Sequence, residues 1–173
     1  WTVVWMAGAL ALAGFVIVPL WHQQVFAAGV YLNPEAYRQT SVLQSQADST
    51  LLYYRDSLNA TVSVHQHGET IVLKVGGKPD ASNGPDMFTQ VLSAHLPMLI
   101  HPNPTRALVI GLGSGVTLGY VGRYPVTTLH CAELDPAVIE GARYFAAYNY
   151  HIHEDPRVRM FVADGRNFLL ASP

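Results

Sequence analysis

"ALVIGLGSGVTLGY", Ala107–Tyr120, is the stretch on which the fold turns. "ALVI" reads as a short buried strand, glycines follow at 111, 113 and 115, and a helical pattern begins at Val116 and runs to Tyr124. A strand that passes through bare backbone into a helix brings that turn close to a ligand. The same order repeats downstream. "TTLHCAEL" (Thr127–Leu134) is a second strand, and "DPAVIEGARYFAAYN" (Asp135–Asn149) a second helix. Asp135 stands as its N-cap and Pro136 at its first position. Val138, Ala142, Phe145 and Ala146 form its apolar stripe, and "VRMFVAD" (Val158–Asp164) is a third strand. Strands alternating with helices of this length predict βαβ units and a parallel sheet. Three strands make an incomplete sheet of this kind.

Upstream the hydrophobic period falls to two. "LLYYRDSL" (Leu51–Leu58), "ATVSVHQ" (Ala60–Gln66) and "TIVLKV" (Thr70–Val75) predict a small antiparallel unit broken at Asn59 and at His67–Glu69. "GGKPDASNGP" (Gly76–Pro85) reads as turn throughout. Met87–Ile100 is predicted helical, with Phe88, Val91, Leu92, His95 and Leu99 as its apolar side; "HPNP" (His101–Pro104) stops it.

Half of the 173 residues are hydrophobic and only 13% are charged, against about a quarter in ordinary globular chains. The excess lies at the start: no charged side chain precedes Glu35, and "WTVVWMAGALALAGFVIVPLW" is as long as a bilayer-crossing helix. A transmembrane helix over 1–22 is the expectation, with a signal peptide cleaved after "VFA" (Val25–Ala27) and a buried core helix as alternatives. A chain beginning with Trp reads as a piece of something longer. The expected fold is α/β: transmembrane helix 1–22, connector 23–49, antiparallel β unit plus helix 50–100, and a truncated Rossmann-like parallel sheet over 101–173. A net charge of −2 supplies no basic face for nucleic acid. The single cysteine, Cys131, cannot form an internal disulfide and reads as a small buried hydrophobe.

The dinucleotide fingerprint G-x-G-x-x-G fails here, because Val116 occupies its last position; the spacing present is G-x-G-x-G. That variant suits a nucleoside without a pyrophosphate packed on the helix, as in S-adenosylmethionine, and the expected sheet is then of the class I S-adenosylmethionine-dependent methyltransferase type. Glu133 ends the second strand about 20 residues beyond the loop, where an acid takes ribose hydroxyls. Asp164, before Gly165, ends the third strand on the same edge. His65 with His67, and His151 with His153, are H-x-H pairs with no third ligand placed by spacing, so they read as surface histidines and no metal is expected. His95 reads as a satisfied, half-buried histidine.

"HLPMLIHPNPTRALVIGLGSG" (His95–Gly115), "AELDPAVI" (Ala132–Ile139) and "DPRVRMFVADGRNFL" (Asp155–Leu169) resemble the polyamine aminopropyltransferases, the spermidine synthase family, and most of all its bacterial members fused behind a membrane domain. The resemblance spans roughly Leu51 to Leu170. It implies that Gly111, Gly113, Ser114, Gly115 and Gly165 line a pocket for decarboxylated S-adenosylmethionine, with Glu133 on the ribose and Asp164 on the adenine edge. Asn59, Thr89 and Gln90 would then meet the amine substrate. Two departures stand out. Ser114 replaces an aspartate of the family's loop, and Thr89 a tyrosine. The family's catalytic aspartate lies on the strand after Asp164, so no catalytic residue is expected before Pro173, and these residues alone are expected to be inactive.

The resulting expectation is a spermidine synthase-like transferase of polyamine biosynthesis. It would move an aminopropyl group from decarboxylated S-adenosylmethionine to a polyamine such as putrescine. It would be anchored in the inner or plasma membrane with its domain facing the cytoplasm, and could pair as a homodimer. An S-adenosylmethionine-dependent methyltransferase on the same scaffold, or a non-catalytic transporter or sensor with a degenerate nucleoside domain, are the alternatives.

Overall fold

Gly76 and Gly77 adopt positive φ angles of 57° and 79°, the pair of left-handed residues that a tight two-residue hairpin needs. They turn β3 (Thr70–Val75) back into β4 (Lys78–Ser82), so the stretch expected to be all turn contains a strand. The Gly-Gly pair is itself a hairpin signal, and Pro79 is tolerated because β4 is an edge strand without a second partner. With β1 (Thr50–Asp56) and β2 (Thr61–His67) these strands form an antiparallel sheet in the order β1-β2-β3-β4.

The computed structural model describes residue 5, residues 22–32 and residues 34–171. Among these, no helix is long and apolar enough to cross a membrane, which corrects the fold class expected from the sequence. The transmembrane helix was placed over 1–22, and all of that stretch except Trp5 and His22 lies outside the described residues. The 23–49 segment carries short helical turns: α1 (Gln23–Phe26), 3-10 turns at Val30–Leu32 and Pro34–Tyr37, and α2 (Val42–Ser45).

α3 (Met87–Ile100) has the predicted bounds, and extended backbone at His101, before Pro102, ends it. Its inner side differs from the predicted stripe. Ala94 and Met98 are buried, whereas Phe88 and Leu99 are more than 70% exposed. The helix packs on α4 (Val116–Val121), and small Ala94 permits the close approach. β5 (Arg106–Ile110), β6 (Thr128–Glu133) and β7 (Val158–Val162) form the parallel sheet in chain order. The second predicted helix is shorter than expected: α5 (Pro136–Gly141) tightens into a 3-10 turn at Ala142–Phe145. Its N-cap is as read, because the Asp135 side chain accepts the Ala137 amide. α6 (Gly165–Ala171) follows β7.

One core serves both sheets. Val62, Val64 and Leu73 of the antiparallel unit meet Val138, Ala142 and Phe145 of the α5 region, which in turn cover Leu129 and Cys131 of β6. A Cβ on Gly141 would lie 3.2 Å from Leu73 and 3.3 Å from Val64, so glycine lets α5 approach the sheet. Arg157 fastens the start of β7: its guanidinium donates to the carbonyls of Gly122 (2.6 Å) and Val126 (3.1 Å) and pairs with Asp155. Cys131 is buried, and burial pushes its thiol up to about 12.

His65 is a further correction. It is 1% exposed, held between the hydroxyls of Ser49 (3.3 Å) and Ser63 (3.1 Å), and burial lowers it to about 4. His95 is half-buried as expected, with Nδ1 at 2.6 Å from the Tyr124 hydroxyl.

Candidate active site

The turn after β5 begins at Gly111, whose φ of 80° is the left-handed region that glycine enters without strain. A Cβ there would meet nothing within 4 Å, so the backbone faces open space. At the far end, Gly115 (φ 79°) caps α4, and a Cβ there would lie 3.0 Å from the Asn149 amide nitrogen. Asn149, fully buried, donates to the carbonyls of Ser114 (2.9 Å) and Ala142 (3.0 Å) and so ties the loop to the α5 region.

Glu133 sits at the carboxyl end of β6, 7% exposed. One carboxylate oxygen accepts the Leu112 amide at 2.7 Å and the other accepts the Asp135 amide at 3.0 Å. The residue is therefore aimed by the backbone around it, and each oxygen keeps acceptor capacity for a second donor.

Between this edge and the antiparallel sheet lies a cavity of about 370 Å³, within the range of small-molecule sites. Gly111, Gly113, Glu133 and Asp135 line it from the parallel sheet, and Asn59 and Asp80 from the opposite side. Leu73, Val75, Leu134 and Val138 complete apolar walls. The Asn59 amide donates to the Leu134 carbonyl at 3.4 Å. Oδ2 of Asp135 is buried, with no hydrogen-bond partner among the described residues. The lining contains three carboxylates and no Lys, Arg or His. Among the described residues, no three His, Cys, Asp or Glu side chains come together as metal ligands.

The structure thus brings Asn59, Gly111, Gly113 and Glu133 onto one cavity, whereas Ser114, Gly115, Thr89, Gln90, Asp164 and Gly165 are not part of its lining. Ser114 is buried and donates to the Gln90 side-chain oxygen, while Gln90 Nε2 donates to Asp86 (2.8 Å) and to the Ser82 carbonyl (2.8 Å). Asp86 also accepts the Ser82 amide at 2.8 Å and its hydroxyl. This closed network joins the glycine loop to the start of α3 and the end of β4. Thr89 is exposed on α3, its carbonyl accepting the Ser93 hydroxyl. Asp164 is exposed, and its side chain accepts the Asn167 amide at 2.8 Å, capping α6. A Cβ on Gly165 would lie 2.3 Å from a methyl of Ile110, so this glycine serves close packing of α6 on β5.

Asp80 and Asn149 escaped the sequence reading. Asp80 was hidden in the stretch taken as turn, and recognising the Gly76-Gly77 hairpin would have placed it on a strand beside the glycine loop. Asn149 carried no local signal, because its importance comes from contacts 7 and 35 residues away in the chain. A second cavity, about 320 Å³, lies between α3 and the outer edge of β5, lined mostly by apolar side chains such as Met98 and Val109. It gathers no acid and no loop backbone from the glycine turn.

Residues 87–172 match the spermine/spermidine synthase domain. The chain is 33% identical over 99 residues to spermidine synthase of Dictyostelium discoideum, covering 57% of this chain and 35% of that protein. It is 34% identical over 107 residues to putrescine N-methyltransferase 2 of Nicotiana tabacum, covering 61% of this chain and 30% of that one. The chain thus spans about a third of the length of these curated relatives. Among solved structures, spermidine synthase from Thermotoga maritima superposes with a TM-score of 0.64 at 27% identity, over 69% of this chain and 42% of that one. A spermidine synthase bound to the transition-state analogue AdoDATO superposes equally well, with a TM-score of 0.64 at 27% identity over 69% of this chain and 41% of that one. Through residues 87–172, the chain belongs to the spermine/spermidine synthase family.

Proposed function

We propose that this chain forms the donor-binding part of an aminopropyltransferase, which moves an aminopropyl group from decarboxylated S-adenosylmethionine to a diamine such as putrescine. One observation carries the reading: among the described residues the cavity beside the glycine loop is lined by Asp80, Glu133 and Asp135 and by no basic side chain, and with Lys78 paired to Asp80 an excess of two carboxylates remains. A pyrophosphate would be repelled there. A donor carrying both a sulfonium and an ammonium is attracted, and the apolar walls accept its nucleoside. The relative solved with AdoDATO adds to this reading, since that spermidine synthase holds a transition-state analogue on the same fold.

In the proposed reaction, the nitrogen lone pair of the diamine attacks the methylene carbon next to sulfur. The carbon–sulfur bond breaks with its electron pair going to sulfur, giving neutral methylthioadenosine, and the new ammonium gives up a proton to water. Glu133 holds the ribose, and the loop from Gly111 to Gly115 fixes the donor by its backbone. Such positioning accounts for several kcal/mol of the barrier in reactions between two bound substrates.

A second reading has its own support. Similarity to putrescine N-methyltransferase, together with serine at 114, favours methyl transfer from S-adenosylmethionine. Product analysis with the full-length gene product that carries this chain, both donors and putrescine separates the two. Methylthioadenosine with spermidine marks aminopropyl transfer, whereas S-adenosylhomocysteine with a methylated amine marks the second. Neither product, together with no thermal stabilisation by either donor, overturns both.

A further inference from the structure

Asp80 occupies an unusual place in the sheet. Leu73 pairs with Ala81 and Lys74 with Pro79, so Asp80 is an extra residue in β4 with no partner in the ladder. Such a bulge re-aims a side chain and is common beside active sites. Here Asp80 lines the cavity across from Gly111 and Gly113, and the methyl of its neighbour Ala81 would lie 3.5 Å from a Cβ on Gly113. Its other contact is an ion pair with Lys78 at 2.8 Å, in which the two side chains are 37% and 62% exposed. A pair so open to water is weak, and an incoming cation can replace the lysine at little cost. Nearby Ser114 and Gln90 are committed to each other and to Asp86. Glu133 is held by two backbone amides. Asp80 is therefore the cavity carboxylate whose partner is a displaceable surface side chain.

We propose that Asp80 is the specificity-determining residue for the donor: its carboxylate takes the ammonium of a tail that lacks a carboxyl group and disfavours a tail that carries one. This rests on the nucleoside-donor reading given above. Decarboxylated S-adenosylmethionine and S-adenosylmethionine differ only in that carboxylate, which in the second ligand would lie beside Asp80 as a like charge. Lys78, paired with Asp80, is the cation that the donor's ammonium displaces. Methylthioadenosine has no tail and is blind to the residue.

The test is calorimetric titration of the full chain and of Asp80→Asn with three probes: methylthioadenosine, decarboxylated S-adenosylmethionine and S-adenosylmethionine. The wild type prefers the decarboxylated donor. Asp80→Asn loses about tenfold or more of its affinity for that donor, as expected for a hydrogen bond to a charged group. It keeps its affinity for methylthioadenosine, and its preference between the two sulfonium donors narrows. An unchanged preference in Asp80→Asn, with methylthioadenosine still bound, overturns the role of Asp80 and leaves the nucleoside reading standing. Failure of the wild type to bind any of the three overturns the nucleoside reading and this inference with it. Lys78→Gln provides the second variant if Asp80→Asn does not fold. Freeing the carboxylate tightens the decarboxylated donor and leaves methylthioadenosine unchanged, whereas equal or weaker binding of that donor contradicts the proposal.

Discussion

Glu133 gives its two carboxylate oxygens to the amides of Leu112 and Asp135, so a single side chain shapes both the glycine loop and the end of β6. Replacing it by glutamine turns one oxygen into an amino group that faces a backbone N–H. Two losses follow together: an acceptor for the ribose and a satisfied backbone donor. Glu133→Gln is expected to weaken methylthioadenosine binding by about 1–3 kcal/mol and to lower stability by a similar amount. Calorimetry and a denaturant titration read these separately; unchanged nucleoside affinity would remove Glu133 from the site. This residue was visible in the sequence because strand ends in an alternating α/β chain fall on one edge. Asp80 was only partly visible: the Gly76-Gly77 pair signals its strand, but no local pattern announces the bulge that leaves it out of the ladder.

At the scale of elements, α4 is held between the loop it follows and the Tyr148–Ile152 stretch that crosses it. A Cβ on Gly119 would stand 2.2 Å from the backbone oxygen of Asn149, and backbone cannot move aside as a side chain can. Gly119→Ala is therefore expected to cost about 1–3 kcal/mol by overpacking. It should also loosen nucleoside binding, because Asn149 anchors the Ser114 carbonyl. Gly165→Ala meets only a methyl of Ile110, and a smaller loss is expected. Thermal melts of the two variants compare them directly, and equal losses would contradict this ranking. Helix and strand order was legible from hydrophobic period, as α3, β5, β6 and β7 show. The inner face of α3 was not. Residues of similar hydrophobicity lie all round that helix, and the choice of Ala94 and Met98 over Phe88 and Leu99 is made by its neighbour α4.

Across the whole molecule, the 23–49 segment closes over the antiparallel sheet. A Cβ on Gly29 would lie 2.3 Å from the Gly77 carbonyl oxygen, and Ser49 bonds to His65 on the buried face. Burial holds His65 at about 4, helped by the nearby charges of Lys74 and His67. Below its ordinary value of 6.5 the unfolded chain takes up a proton that the folded chain refuses, so stability falls as pH drops from 6.5 towards about 4. The slope is at most about 1.4 kcal/mol per pH unit for this one group. Urea titrations at pH 7 and pH 5 should show the loss, and His65→Gln should flatten it; an unchanged slope in that variant would assign the effect to other groups. The H-x-H spacing suggested a surface pair, because nothing local in the sequence shows that residues 46–49 fold back over the strand.

The nucleoside site is the central claim, and a crystal structure of the chain with decarboxylated S-adenosylmethionine tests it most directly. The expected result is the ribose hydroxyls on the Glu133 carboxylate, the sulfur beside the backbone of Gly111 and Gly113, and the ammonium of the tail within hydrogen-bond reach of Asp80. A donor bound elsewhere, or one whose ribose makes no contact with Glu133, would contradict it.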